Sequence, residues 1–134
     1  FYVSTHQFPF FPGTGSQLET GEHNNVLNIP LYAGVGSTDY KNKFNEAVIP
    51  FIQKSDPDIL IISAGFDAHR RDPLASINLE TKDFVYMIKI LQKIKSNLLV
   101  GLEGGYDLKA LGECSEAVAS ALLGCSSKIV KKGA

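Results

Sequence analysis

The chain has 134 residues, 44% hydrophobic and 20% charged, with a formal net charge of -1. That is one domain's worth of sequence, and chains near this size bury enough surface to build their own core (roughly 68–70% at about 150 residues). The composition excludes a disordered, highly charged chain, and the near-neutral balance gives no strong attraction to nucleic acid or anionic lipid. No run approaches the ~18 apolar residues of a membrane span, and these residues carry no signal-peptide pattern.

Taken in chain order, Phe1 to Thr5 is β-branched and aromatic and reads as a strand. A domain rarely begins in mid-strand, so polypeptide is expected ahead of Phe1. His6 to Asn25 is a long loop with Gly13, Gly15, Gly21, Pro9 and Pro12. Loops of this length in a domain are usually functional or disordered, and the cluster Phe8, Phe10, Phe11 argues for order because such rings seek burial. Val26 to Leu31 is a second strand, and Gly34 to Ser37 a turn. Asp39 to Gln53 places Tyr40, Phe44, Val48, Phe51 and Ile52 at helical spacing.

Ile59 to Ser63 is a continuous apolar run, the pattern of a parallel strand covered on both faces. Thr81 is placed to cap a helix with Phe84, Ile88, Leu91 and Lys95 along one stripe. Leu98 to Leu102 is the last strand, and Asp107 caps a final helix with Leu108, Leu111, Val118 and Leu122 facing inward. The alternation predicts an α/β fold with a mainly parallel sheet. Cys114 and Cys125 match no zinc or disulfide framework and read as buried free thiols; a reducing, cytoplasmic setting is the default expectation. Lys128, Lys131 and Lys132 form a small basic tail, read as a solvated terminus.

Two strings follow strands directly: Ser63-Ala64-Gly65-Phe66-Asp67-Ala68-His69 and Leu102-Glu103-Gly104-Gly105-Tyr106-Asp107. Ligands of open parallel sheets bind outside the carboxyl ends of the strands. A carboxylate and a phenol at two such ends suit a metal ligand and a donor to a developing oxyanion; a helix cap and a packed edge tyrosine are the plainer alternatives. Glu103 is a supporting acid or a solvated one. Phe10, Phe11 and the following Pro-Gly-Thr-Gly suit the wall of an apolar slot for a linear substrate, or simply core. Asp67-Ala68-His69 formally reads Asp-x-His, which in extended chain would share a face, but His6 and His69 are better read as structural.

Together, Ser4-Thr5-His6-Gln7, Phe10-Phe11-Pro12-Gly13-Thr14-Gly15, the Asp67 string with Asp72-Pro73-Leu74-Ala75, and Leu102-Glu103-Gly104-Gly105-Tyr106-Asp107-Leu108 resemble the zinc-dependent histone deacetylase superfamily. The class II and bacterial branch, which includes acetylpolyamine amidohydrolases and acetoin-utilisation proteins, is the nearer likeness. The resemblance covers nearly all of residues 1–134 and implies the C-terminal part of one three-layer arginase/deacetylase-like domain. It implies hydrolysis of an acetylated lysine or polyamine to acetate and free amine. By the same resemblance Asp67 is a zinc ligand, Tyr106 the catalytic oxyanion donor, Phe11 a wall of the substrate tunnel and Gly104 a backbone substrate contact. Ser4 and Thr5 match a site for a structural potassium ion.

The family's Asp-x-His ligand pair and its His-His acid/base pair belong upstream of Ser4, outside this sequence. A catalytic zinc typically takes three protein ligands, so Asp67 alone would hold it poorly. The expectation is therefore an isolated chain that is inactive, whose N-terminal half is supplied in cis or in trans. The alternatives are a non-catalytic remnant serving as an interaction or structural module, or one half of a split enzyme.

Overall fold

A computed structural model describes residues 1–124. Cys125 and the lysines at 128, 131 and 132 lie outside the described residues. Strand β1 (Tyr2–Gln7) pairs in parallel with β2 (Val26–Leu31), Tyr2 opposite Val26 and Gln7 opposite Leu31. Strand β3 (Leu60–Ala64) pairs in parallel with β4 (Leu98–Leu102). The described strands therefore form two separate two-stranded sheets rather than one.

The expected helix after β2 is a continuous rod with an irregular middle. Helix α1 (Ser37–Lys43) runs into a wider π-helical turn (Phe44–Val48) and then α2 (Ile49–Ser55). The cause is Pro50, which has no N–H to donate and whose ring crowds the carbonyl four residues back; a widened turn absorbs both. The i, i+4 stripe survives, and Tyr40, Phe44, Val48 and Ile52 are all buried.

Helix α3 (Thr81–Ile94) starts one residue earlier than the Thr81 cap implies. Glu80 is the N-cap, and its N–H donates to Asp83 Oδ2 at 2.9 Å. Thr81 is already helical, and its hydroxyl faces the Cys114 thiol at 3.5 Å. Asp83 is almost fully buried, and it is satisfied by Ser37 Oγ at 2.6 Å and Lys41 Nζ at 2.7 Å, which lock α3 to α1. Phe84, Ile88 and Leu91 are buried as expected, whereas Lys95 lies past the helix end and reaches Asp56.

Helix α4 (Leu108–Leu122) is capped by Asp107, whose Oδ1 accepts from the Ala110 N–H at 2.6 Å. Its buried face is Ala110, Cys114, Ala117, Val118 and Ala121. Leu108, expected inside, is exposed, because the first-turn inward position belongs to Ala110. The small residues let α4 come close to α3, and Cys114 is the buried free thiol expected.

One core joins the rod, α3, α4 and one face of each strand pair, and Phe66 meets Phe84 edge-on at 5.1 Å. The apolar run of β3 is covered on one face only. Leu60, Ile62 and Ala64 pack on the core, but Ile59, Ile61 and Leu99 are more than half exposed. Among the described residues no helix layer lies over that second face.

Candidate active site

The loops that leave β3 and β4 are laced together by backbone bonds. Glu103 N–H donates to Ala64 O at 3.0 Å and Phe66 N–H to Gly104 O at 2.7 Å, which prolong the parallel ladder beyond the strands. The chain then turns sharply: His69 N–H bonds to Phe66 O at 3.0 Å. Because this stretch is a turn and not extended, Asp67 and His69 do not share a face. Asp67 stands half-buried beside the open groove, while His69 is buried behind it, bridged to Leu79.

The Asp67 carboxylate is seated between two glycines. A Cβ on Gly65 would lie 2.8 Å from Asp67 Oδ1, and one on Gly104 would lie 2.8 Å from Oδ2. Either methyl would force the Asp67 side chain to shift, so the two glycines leave the carboxylate its present position. The sequence pattern hid this use of Gly65 and Gly104, since the two lie on different loops. Burial pushes the Asp67 carboxyl above the usual aspartate range, and the negative charge of Asp72 pushes it further the same way.

Tyr106 is exposed over 55% of its surface, and its N–H donates to Asp72 Oδ2 at 2.9 Å. Gly105, at φ +141°, sets the backbone just before it. Glu103 is exposed at the groove, as a solvated acid would be. Phe11, expected in an aromatic wall, is 91% exposed, and Phe10 is also exposed; both border the groove. The ring cluster therefore buries little of itself against the described residues.

The 8–25 loop is nonetheless tied down. His6 bridges Ser4 Oγ and Gly15 O, each at 2.9 Å, and Glu19 accepts the N–H groups of Gly15 and Ser16. That is the structural role expected of His6. Thr5 Oγ1 meets Tyr40 Oη at 2.5 Å. Adjacent strand residues point to opposite faces, and the two hydroxyls have different partners, Ser4 Oγ on His6 and Thr5 Oγ1 on Tyr40.

His69 is likewise structural, its Nδ1 accepting from the Arg71 N–H at 3.2 Å. Burial, reinforced by Arg71, lowers its pKa below the ordinary 6.5. The folded protein thus holds His69 neutral where the unfolded chain would take up a proton. Its contribution to stability is complete above about pH 6.5 and is lost as the pH falls below that value. A thermal melt should therefore drop between about pH 7 and pH 5.5 more steeply for the wild-type protein than for His69→Gln.

Between the two strand pairs lies a cavity of about 700 Å³, bordered by the length of β1 on one side and by residues 59–67 on the other. Asp67, Gly104 and Phe11 all open onto it. Zinc chemistry needs typically three protein ligands. Among the described residues there is no group of three His, Cys, Asp or Glu side chains that could hold a metal. Among the described residues Asp67 therefore stands without the partner ligands that such a site requires.

Asp67 and Tyr106 thus stand on the loops that follow two paired parallel strands. The sequence profile of the Histone deacetylase domain matches residues 1–122. An uncharacterised protein of Synechocystis is 46% identical over 113 residues, covering 84% of this chain and 37% of that protein. Histone deacetylase 10, chloroplastic, of rice is 36% identical over 132 residues, covering 92% of this chain and 30% of that protein. The crystal structure of the HDA15 HD domain superposes with a TM-score of 0.89 at 36% identity, covering 95% of this chain and 38% of the other. The histone deacetylase Clr3 superposes with a TM-score of 0.88 at 34% identity. The chain belongs to the histone deacetylase family and has its arginase/deacetylase α/β fold. It spans about a third of the length of these curated relatives.

Proposed function

We propose that this chain is the C-terminal part of a zinc-dependent deacetylase domain that hydrolyses an acetylated lysine or polyamine to acetate and free amine, and that it is inactive until the N-terminal part joins it in cis or in trans. The observation that supports this reading is the seat of Asp67: a carboxylate lying between two glycines, on either of which a Cβ would displace it, at the edge of a cavity and one loop away from Tyr106. A helix-capping aspartate needs no such clearance.

In the complete domain Asp67 would hold one position of a zinc ion, which would supply a Lewis acid and an activated water. Tyr106 donates its phenolic hydrogen to the carbonyl oxygen of the acetamide as negative charge develops there. Gly104 offers backbone to the substrate, and Phe11 flanks the linear arm. The exposure of Phe11 and Tyr106 accords with side chains kept for a ligand rather than for the core.

The test is Tyr106→Phe in the complete domain. Loss of one oxyanion donor should lower kcat by about 10²–10³-fold with zinc content unchanged. An unchanged kcat would remove Tyr106 from this role.

A further inference from the structure

Asp72 lies outside the set of side chains assigned above, yet it joins them. It is a buried carboxylate, 9% exposed. Its Oδ1 accepts from the N–H groups of Leu74 at 2.9 Å and Ala75 at 3.1 Å, which makes a tight turn through Pro73. Its Oδ2 accepts from the Tyr106 N–H at 2.9 Å, a partner 34 residues away. Its own N–H donates to His69 O at 2.8 Å. Among the described residues no lysine, arginine or histidine forms an ion pair with it. Its burial is offset by three N–H donors, the charge-assisted arrangement that satisfies a carboxylate without a cation.

The local turn requires only Oδ1. The bond from Oδ2 crosses between the two loops that carry Asp67 and Tyr106. Tyr106 needs an external anchor: two glycines precede it, its ring is mostly exposed, and the helix cap begins only at Asp107. A backbone freed at this point would let the phenol wander, and a misplacement of about 1 Å can cost ~10²-fold in rate.

We propose that Asp72 is a positioning residue of the hydrolytic site, its Oδ2 fixing the Tyr106 backbone at a set distance from Asp67. This rests on the reading of Tyr106 as the oxyanion donor. It separates from a merely structural role by a double-mutant cycle in the complete domain, with Asp72→Asn, Tyr106→Phe and the double variant. Asn keeps one oxygen for the Leu74–Ala75 turn but sets an amide N–H₂ against the Tyr106 N–H.

Asp72→Asn should lower kcat about 10–100-fold with KM changed less than about 2-fold. Added to Tyr106→Phe, it should cost less than about 2-fold more. The same loss in both backgrounds, or no loss in kcat, would overturn the positioning role. A Tyr106→Phe variant with full activity would instead overturn the underlying reading, and the role of Asp72 with it. Hydrogen exchange needs no catalysis: the Tyr106 amide of the wild-type domain should exchange at least about 10-fold more slowly than in Asp72→Asn. Exchange of that amide at the unprotected rate in the wild type would also refute the proposal.

Discussion

Asp67→Asn in the complete domain is expected to weaken zinc binding by at least about 100-fold and to remove zinc-dependent hydrolysis. Partners that merely stand behind a metal ligand already contribute about 10–100-fold in affinity, so loss of a charged ligand should exceed that range. The substitution is nearly isosteric and keeps the two-glycine seat filled, so the loss would report charge and ligation rather than packing. Gly104→Ala approaches the same point from the other side. Its methyl would stand 2.8 Å from Asp67 Oδ2 and 3.0 Å from Cγ, so the carboxylate must move although its chemistry is intact. Both variants should lose zinc in a chelator competition while keeping a wild-type helical spectrum. Zinc affinity unchanged by Asp67→Asn would eliminate the ligand assignment.

What the sequence made legible follows from where the physics is local. Strand ends, the Asp107 cap and the i, i+4 stripe from Tyr40 to Ile52 are short-range features, and each is present. The π-helical turn was also local, since Pro50 sits inside the periodic stretch, but periodicity alone does not weigh a missing N–H. Helix α3 does not start where Thr81 suggests, because Glu80 and Asp83 satisfy its start, a use of acidic side chains that resembles surface charge in sequence. Asp72 was legible only as part of a string, because its decisive partner lies 34 residues on. The same holds for the glycine seat: Gly65 and Gly104 acquire their meaning from one carboxylate lying between two loops. The uncovered side of β3 shows the reverse case. Its unbroken apolar run predicts cover on both faces, and the described residues provide cover for one.

Adding the N-terminal part of the domain should convert the chain from an association-prone, inactive species into a monodisperse, zinc-binding one. Two observations make this the expected outcome. First, among the described residues β1 pairs only with β2, and β3 only with β4, so each leaves a row of main-chain donors and acceptors unpaired along the same cavity. The two edges run in the same sense. Phe1 at the start of β1 packs edge-on against Phe51 of α2, the helix that leads into β3. Gln7 at the far end of β1 accepts from the N–H of Ser76, in the loop that leaves β3. A strand laid between them, about 4.8 Å from each, would join the two pairs into one parallel sheet and bring its carboxyl end beside Asp67. Second, Ile59, Ile61 and Leu99 present an apolar face next to that edge, and exposed strand edges with apolar flanks drive association. The isolated chain should therefore elute as mixed oligomers without a sharp melt and show no zinc-dependent deacetylation. The two parts co-expressed should give one species with a cooperative melt and metal-dependent turnover. A sharply melting monomer of the isolated chain, whose β1 and β3 amides are all protected from exchange, would mean that the edges are already paired and that no strand is to be added.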